Sequence, residues 1–342
     1  MLEKKNENDM LYEAIWPNGA PKKNISCPAC GRKNRIDIGK ASLLLNKCRC
    51  GDCGAWMFRA YDEPIRNLSP QSYQHPLDYS SLKALQRIPG LPKLLKSFMS
   101  EIGEKPMRYQ LLASSVLCGT DQFPELYKHL EFSVKSLDLD TIPSLFRSQS
   151  PVINASTFGA EKPVIVVHSA LLDILDEDSI RTVLGHELGH VHCEHSTYKL
   201  LATLLLMGGA RLGGWPSLIT APLQMGLHKW SRCAELTADR AGLLASRSLK
   251  ASINVFLRMA GGYTYGMSTP AKMQVAPFIR QARELKAAEN DNWMDSMVAD
   301  VVTANRSHPF LAWRLLKLLE WVEEGTFLEL LLAESPSAME HS

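Results

Sequence analysis

No apolar h-region opens this sequence of 342 residues: Met1–Asp9 is charged and polar. That argues against secretion through a signal peptide and makes a cytoplasmic setting the default expectation. There is no surplus of either charge. Lys and Arg number 38 against 36 Asp and Glu, and a net charge of +2 makes no electrostatic case for a nucleic-acid partner. No uncharged run reaches the roughly 20 residues that cross a bilayer. Lys199 to Met207 is nearly apolar and Leu212 to Leu227 is uncharged, but Arg211 and several glycines separate them, and Pro216 and Pro222 interrupt the second. The pair reads as a buried helical hairpin, with peripheral membrane contact through 199–227 as the alternative. No internal repeat is visible. With 45% apolar and 22% charged residues, the chain has an ordinary folded composition and the length for more than one unit.

Cysteine is scarce outside one segment. Five of eight fall between Cys27 and Cys53. Cys27-Pro-Ala-Cys30-Gly and Cys50-Gly-Asp-Cys53-Gly are two C-x2-C knuckles, each followed by a glycine that tolerates the turn. Together they offer four thiolates for tetrahedral zinc. Ile36, Ile38, Leu43, Leu44 and Leu45 between them suggest a short β-hairpin, so residues 22–58 read as a zinc ribbon. Four thiolates leave no position for water, which makes this site structural. Cys48 is surplus. An iron–sulfur site or a redox pair would use the same residues. The segment is basic (Lys22, Lys23, Arg32, Lys33, Arg35, Lys40, Lys47, Arg49), either as a solvated surface or as a face for a protein partner. Cys118, Cys193 and Cys233 read as buried thiols.

Around the ribbon the N-terminus, within 1–60, is expected to be disordered. Residues 61–79, with Pro64, Pro70 and Pro76, read as a linker. A helical lead-in over 80–150 follows, including helices at 91–102, 108–116 and 123–137. The catalytic core is placed at 151–330 and a flexible tail at 331–342. Val164–His168 is β-branched and short, the best strand of the chain. It is either internal or a sheet edge able to pair with an extended peptide. Asp178 is the expected N-cap of a helix running to about Ser196. Further helices are expected at 231–246, 252–260, 279–290, 291–303 and 310–324.

His186-Glu187-Leu188-Gly189-His190 lies on that first helix. Residues four apart share a helix face, so both imidazoles reach one metal, with Glu187 beside its bound water as general base. A catalytic zinc needs a third protein ligand and an open position. Glu235 in Glu235-Leu-Thr-Ala-Asp239 is the candidate, and His228 the weaker alternative. Asp239, one turn on, would hold the far nitrogen of a ligand histidine. His192 and His195 read as a polar helix face pointing away. His168 ends the strand, at a cleft edge or elsewhere on the fold.

These elements resemble the M48 family of zinc metallopeptidases, which includes the CAAX prenyl protease and the HtpX-type proteases. The likeness is carried by His186–His190, Glu235-x-x-Ala238-Asp239, the late Ser307-His308-Pro309 and the strand-plus-helix over 164–175, and it spans roughly 80–324. The resemblance implies a mostly helical α+β zincin-like core with a small β-sheet, His186, His190 and Glu235 as ligands, Glu187 as base and Asp239 behind them. It also implies His308 and Arg314 near the substrate or transition state, His308 as donor to the oxyanion, and a peptide or protein substrate; His168, from its place at the strand end, is a further candidate contact. One catalytic Zn2+ and one structural Zn2+ in the ribbon are expected. The activity expected is zinc-dependent endopeptidase, with protein quality control as its setting. A silent peptidase fold used for binding, or a zinc hydrolase of non-peptide amides or esters, is the alternative.

Overall fold

The computed structural model describes residues 6–88, 105–159, 162–199, 217–262, 275–288 and 310–334. Helix α1 (Glu7–Ile15) is capped by Asn6, whose side chain accepts from Asp9 N, and it buries Leu11 and Ile15. The disorder expected at the N-terminus is therefore replaced from residue 7 by a docked helix. Trp16 behind it donates to Glu323 at 2.7 Å. Strands β1 (Lys22–Ser26) and β2 (Lys33–Asp37) are antiparallel, with Ser26 opposite Lys33. The hairpin thus carries the first cysteine knuckle in its turn; it does not join the two knuckles as expected. Asp37 accepts from Lys40 N and starts α2 (Ile38–Leu43), so Ile38 and Leu43 are helical. Leu45–Lys47 is a single 3-10 turn.

Residues 61–79, expected as a linker, carry α3 (Pro70–Tyr73) and the start of α4 (Pro76–Gln86). Each proline stands at the first position of its helix, where the missing N–H costs nothing and the fixed φ helps. Tyr73, His75 and Asp78 are buried. Helix α5 (Lys105–Ser114), strand β3 (Val116–Cys118) and helix α6 (Pro124–Ser136) follow. Strands β4 (Ser144–Ser148), β5 (Ala155–Phe158) and β6 (Val164–His168) complete a mixed sheet of order β3-β4-β6-β5. β6 runs parallel to β4 and antiparallel to β5. It is internal, with Val164–Val167 buried. The edge is β5.

After α7 (Ser169–Leu172), the central pair of helices is α8 (Glu177–His192) and α9 (Ser217–Ser246). Asp176, not the expected Asp178, caps α8 by accepting from Ser179 N at 2.8 Å. Asp178 instead pairs with Arg181 and accepts from Tyr61. The helix ends at His192, four residues early, because Glu194 takes a left-handed conformation with φ 56°. Around this pair lie α10 (Leu249–Gly261), α11 (Val275–Ala288), α12 (Leu311–Glu324) and α13 (Thr326–Leu330). The first four residues of the expected flexible tail are packed: Leu331 is buried, Leu332 bridges Phe58, Ala333 N donates to Met57 O, and Glu334 pairs with Arg59. One apolar cluster runs from Leu11, Ile25 and Met57 to Leu184, Leu244 and Leu319, joining the cysteine-rich unit to the catalytic helices. Among the described residues no helix is long and apolar enough to cross a membrane. Most of the 199–227 stretch, the expected helices at 91–102 and 291–303, and the Ser307-His308-Pro309 element lie outside the described residues.

Candidate active site

The cysteine site follows from the two knuckles. Gly31 and Gly54 turn the chain with φ of 74° and 72°. Cys27 Sγ lies 3.7 Å from Cys53 Sγ, and Cys30 Sγ 3.7 Å from Cys50 Sγ. A tetrahedron with Zn–S bonds of about 2.3 Å has edges of about 3.8 Å, so these thiols fit zinc. Backbone N–H groups of Cys53 and Asp52 aimed at Cys50 lower its thiol to about 6, toward the ligating thiolate. Cys48 stays outside the set: its Sγ faces Leu44 O, and burial pushes its thiol up.

The second site lies where α8 meets α9. Close approach is allowed because Gly185 and Gly189 face Ala245 and Ala241. A Cβ on either glycine would come within 2.3 Å and 2.6 Å of those side chains. That contact brings Glu235 onto both histidines. Its Oε1 is 3.3 Å from His190 Nε2 and its Oε2 3.4 Å from His186 Nε2. All three residues are buried. Tetrahedral zinc with bonds of about 2.05 Å sets ligand atoms about 3.3 Å apart, so the three donors fit one ion. Among the described residues these and the four cysteines are the groups that could hold a metal; His228 is not with them.

Behind the ligands, Asp239 Oδ1 lies 3.0 Å from His186 Nδ1. Arg314 donates to Asp239 from Nε (2.8 Å) and Nη2 (2.6 Å), and its Nη1 is 3.0 Å from Glu235 Oε2. The guanidinium, expected near the substrate or transition state, stands against the two carboxylates. Burial would raise the Glu235 carboxyl, but Lys199 and Arg314 hold it well below the usual range. Burial opposes charge on His186, yet hydrogen bonds to Asp239 and Glu235 raise it to about 9; the pocket favours a cation at that imidazole. Burial and then Lys199 keep His190 well below its ordinary value. The Lys199 ammonium lies 2.8 Å from His190 Nε2 and 2.7 Å from Glu235 Oε1, against atoms a metal would use.

Glu187 is buried, and its Oε2 accepts from Thr157 Oγ1 on β5 at 2.7 Å. Beside it opens a narrow, mostly apolar cavity lined by Ala155, Val183, Phe256, Met259 and Leu318, with Arg314 in its wall. His168 is not among the lining residues; its Nδ1 faces Val152 O at 3.1 Å. His195, read as pointing away, is fully buried with Nδ1 3.0 Å from His190 Nδ1. The turn at Glu194 swings it back. Its presence five residues after His190 was the available signal. Nothing local marked Asp78 or Lys199.

Two buried histidines and a glutamate on crossed helices, with a second glutamate in the cleft, define a zinc metallopeptidase site. A family model, that of peptidase family M48, matches residues 122–322, and the chain belongs to this family. The chain is 31% identical over 271 residues to the plastoglobule-localized metallopeptidase 48, chloroplastic, of Arabidopsis thaliana, covering 78% of this chain and 77% of that one. No solved structure matches. The chain carries the site of a zinc metalloendopeptidase together with a separate four-cysteine zinc site. The cytoplasmic setting does not stand, because this relative's name places it in the chloroplast. The lack of an h-region speaks only to the secretory route.

Proposed function

We propose that the chain hydrolyses peptide bonds with Glu187 as general base. The observation that carries this is the Thr157 hydrogen bond. By donating to Glu187 Oε2, Thr157 orients the carboxylate, and Oε1 would be the oxygen that takes a proton from water. Zinc, when held by His186, His190 and Glu235, supplies the Lewis acidity that makes water a nucleophile at neutral pH and polarises the carbonyl. Glu187 takes the water's proton as it attacks the carbonyl and delivers it to the leaving amine. Arg314 and Asp239 keep the ligand carboxylate and His186 in place. β5 is the sheet edge beside the base, so an extended substrate would add to β5, not to the internal β6. His308 is the proposed oxyanion donor on the family resemblance.

Two finer partner assignments belong to this reading: membrane-surface contact through 199–227 and protein recognition by the basic cysteine-rich unit. Co-sedimentation with vesicles checks the first. The central test is Glu187→Gln, assayed on an unfolded protein. Zinc content should be retained while hydrolysis drops by about 10²–10⁴-fold. Turnover at the wild-type rate would sink the assignment.

A further inference from the structure

A buried chain of polar groups runs from His190 away from the cleft. His195 Nδ1 is 3.0 Å from His190 Nδ1, and its Nε2 is 3.1 Å from Asp78 Oδ2, off the line of the ring N–H. His195 and Asp78 are both fully buried. Asp78 also accepts from Trp230 Nε1 (3.0 Å), Thr237 Oγ1 (2.7 Å) and Gln74 Nε2 (3.0 Å). Such a network is costly to bury unless its members are satisfied, and here three hydrogen-bond donors converge on one carboxylate, with His195 Nε2 within 3.1 Å of it.

The two ends of the chain settle the protons between them. A carboxylate only accepts, so a neutral His195 carries its one proton on Nε2, facing Asp78. His195 Nδ1 is then an acceptor, and the contact between the two Nδ1 atoms requires His190 to donate. His190 then carries its proton on Nδ1 and a lone pair on Nε2. The other end gives the same answer independently. An ammonium only donates, and Lys199 Nζ lies 2.8 Å from His190 Nε2. Nε2 is the atom nearest Glu235 and the one that meets the metal.

We propose that His195, held by Asp78, is a positioning residue for the metal centre, fixing His190 as the Nδ1–H tautomer that presents Nε2 to zinc. This does for His190 what Asp239 does for His186, with a second imidazole between carboxylate and ligand. It also makes metal binding depend on the helix α4, which lies outside the family match and supplies Asp78. The inference rests on the His186–His190–Glu235 zinc site proposed to do the chemistry.

The test uses the full chain with ¹⁵N-labelled histidine. In the metal-free protein His190 should show a protonated Nδ1 and an unprotonated Nε2; the opposite tautomer overturns the proposal without any variant. Zinc affinity is then measured by chelator competition, with the four-cysteine site as the internal sign of a folded chain. His195→Leu leaves His190 Nδ1 without an acceptor and should weaken the second zinc by about 10–100-fold. His195→Gln, whose amide oxygen accepts in the same place, should recover most of that loss, and cobalt bound at the site should change its visible spectrum in the Leu but not the Gln variant. Equal affinity in all three proteins overturns the proposal while leaving the zinc site intact. A wild-type chain that binds only one zinc overturns the site itself.

Discussion

Replacing Gly242 by alanine should damage the zinc site without touching a ligand. Gly242 lies on α9 where it crosses α8. A Cβ there would stand 2.7 Å from Thr182 O and 3.4 Å from His186 N. Thr182 O is backbone inside a helix and cannot rotate aside. Reaching the 3.4 Å of ordinary contact needs 3.4 − 2.7 = 0.7 Å of separation between the two helices. Zinc ligand distances tolerate about 0.2 Å, so the shift moves Glu235 out of reach of an ion held by His186 and His190. Overpacking costs about 1–3 kcal/mol, offset by about 1 kcal/mol of helix propensity. The metal-free fold should lose about 1 kcal/mol, while zinc affinity at this site falls at least about tenfold, or about 1.4 kcal/mol. Chelator competition and the unfolding midpoint read the two effects separately. Gly261→Ala is the control, since nothing lies within 4 Å of a Cβ there. Wild-type zinc affinity in Gly242→Ala would refute the view that helix spacing sets the ligand geometry.

The intact protein should carry two zinc equivalents by metal analysis. Cys50→Ser should leave one and lower the unfolding midpoint, because the cysteine-rich unit shares the apolar cluster of the catalytic helices. His75 provides a pH signature. Burial, with Arg240 and Lys317 nearby, lowers it from 6.5 to about 3, so the folded chain keeps it neutral where the unfolded chain takes a proton. Stability should therefore fall as pH drops below 6.5, by about 1.4 kcal/mol per pH unit. His75→Asn keeps an acceptor for Leu77 N and should lose this dependence, retaining about 2 kcal/mol more of its stability than the wild type between pH 6.5 and about 5. Parallel stability curves for the two proteins would refute the assignment.

What could be read from the residues alone follows a physical pattern. Site residues fixed by local geometry were legible: His186 and His190 share a helix face, each cysteine pair shares a tight turn, and Asp239, which holds His186, lies one helical turn after the ligand Glu235. Positions decided by a single backbone angle or by long-range register were not. His195 was read as outward because a continuous helix would point it so; the left-handed Glu194 reverses that. The residues of β6 allow an internal strand or an edge; a strand buried on both faces is the one that ends up internal, and the less apolar β5 is the edge beside the base. Prolines at 70 and 76 suggested a linker, yet at the first helical position they start helices, and the second of these delivers Asp78 to the metal centre.

Arg314 extends this reasoning to the chemistry. The resemblance implies a place for it near the substrate or transition state. Its three donor nitrogens face Asp239 and Glu235, and it is buried with them. A buried guanidinium so committed acts by setting where the carboxylates stand. Arg314 also lines the cavity beside Glu187, with His186 and Asp239, while Thr157 there is engaged with the Glu187 carboxylate. The division of labour is therefore steric as much as electrostatic: glycine and alanine at the α8–α9 crossing set the ligand spacing, while Arg314 and Asp239 on one side, and His195 and Asp78 on the other, hold the imidazoles against it.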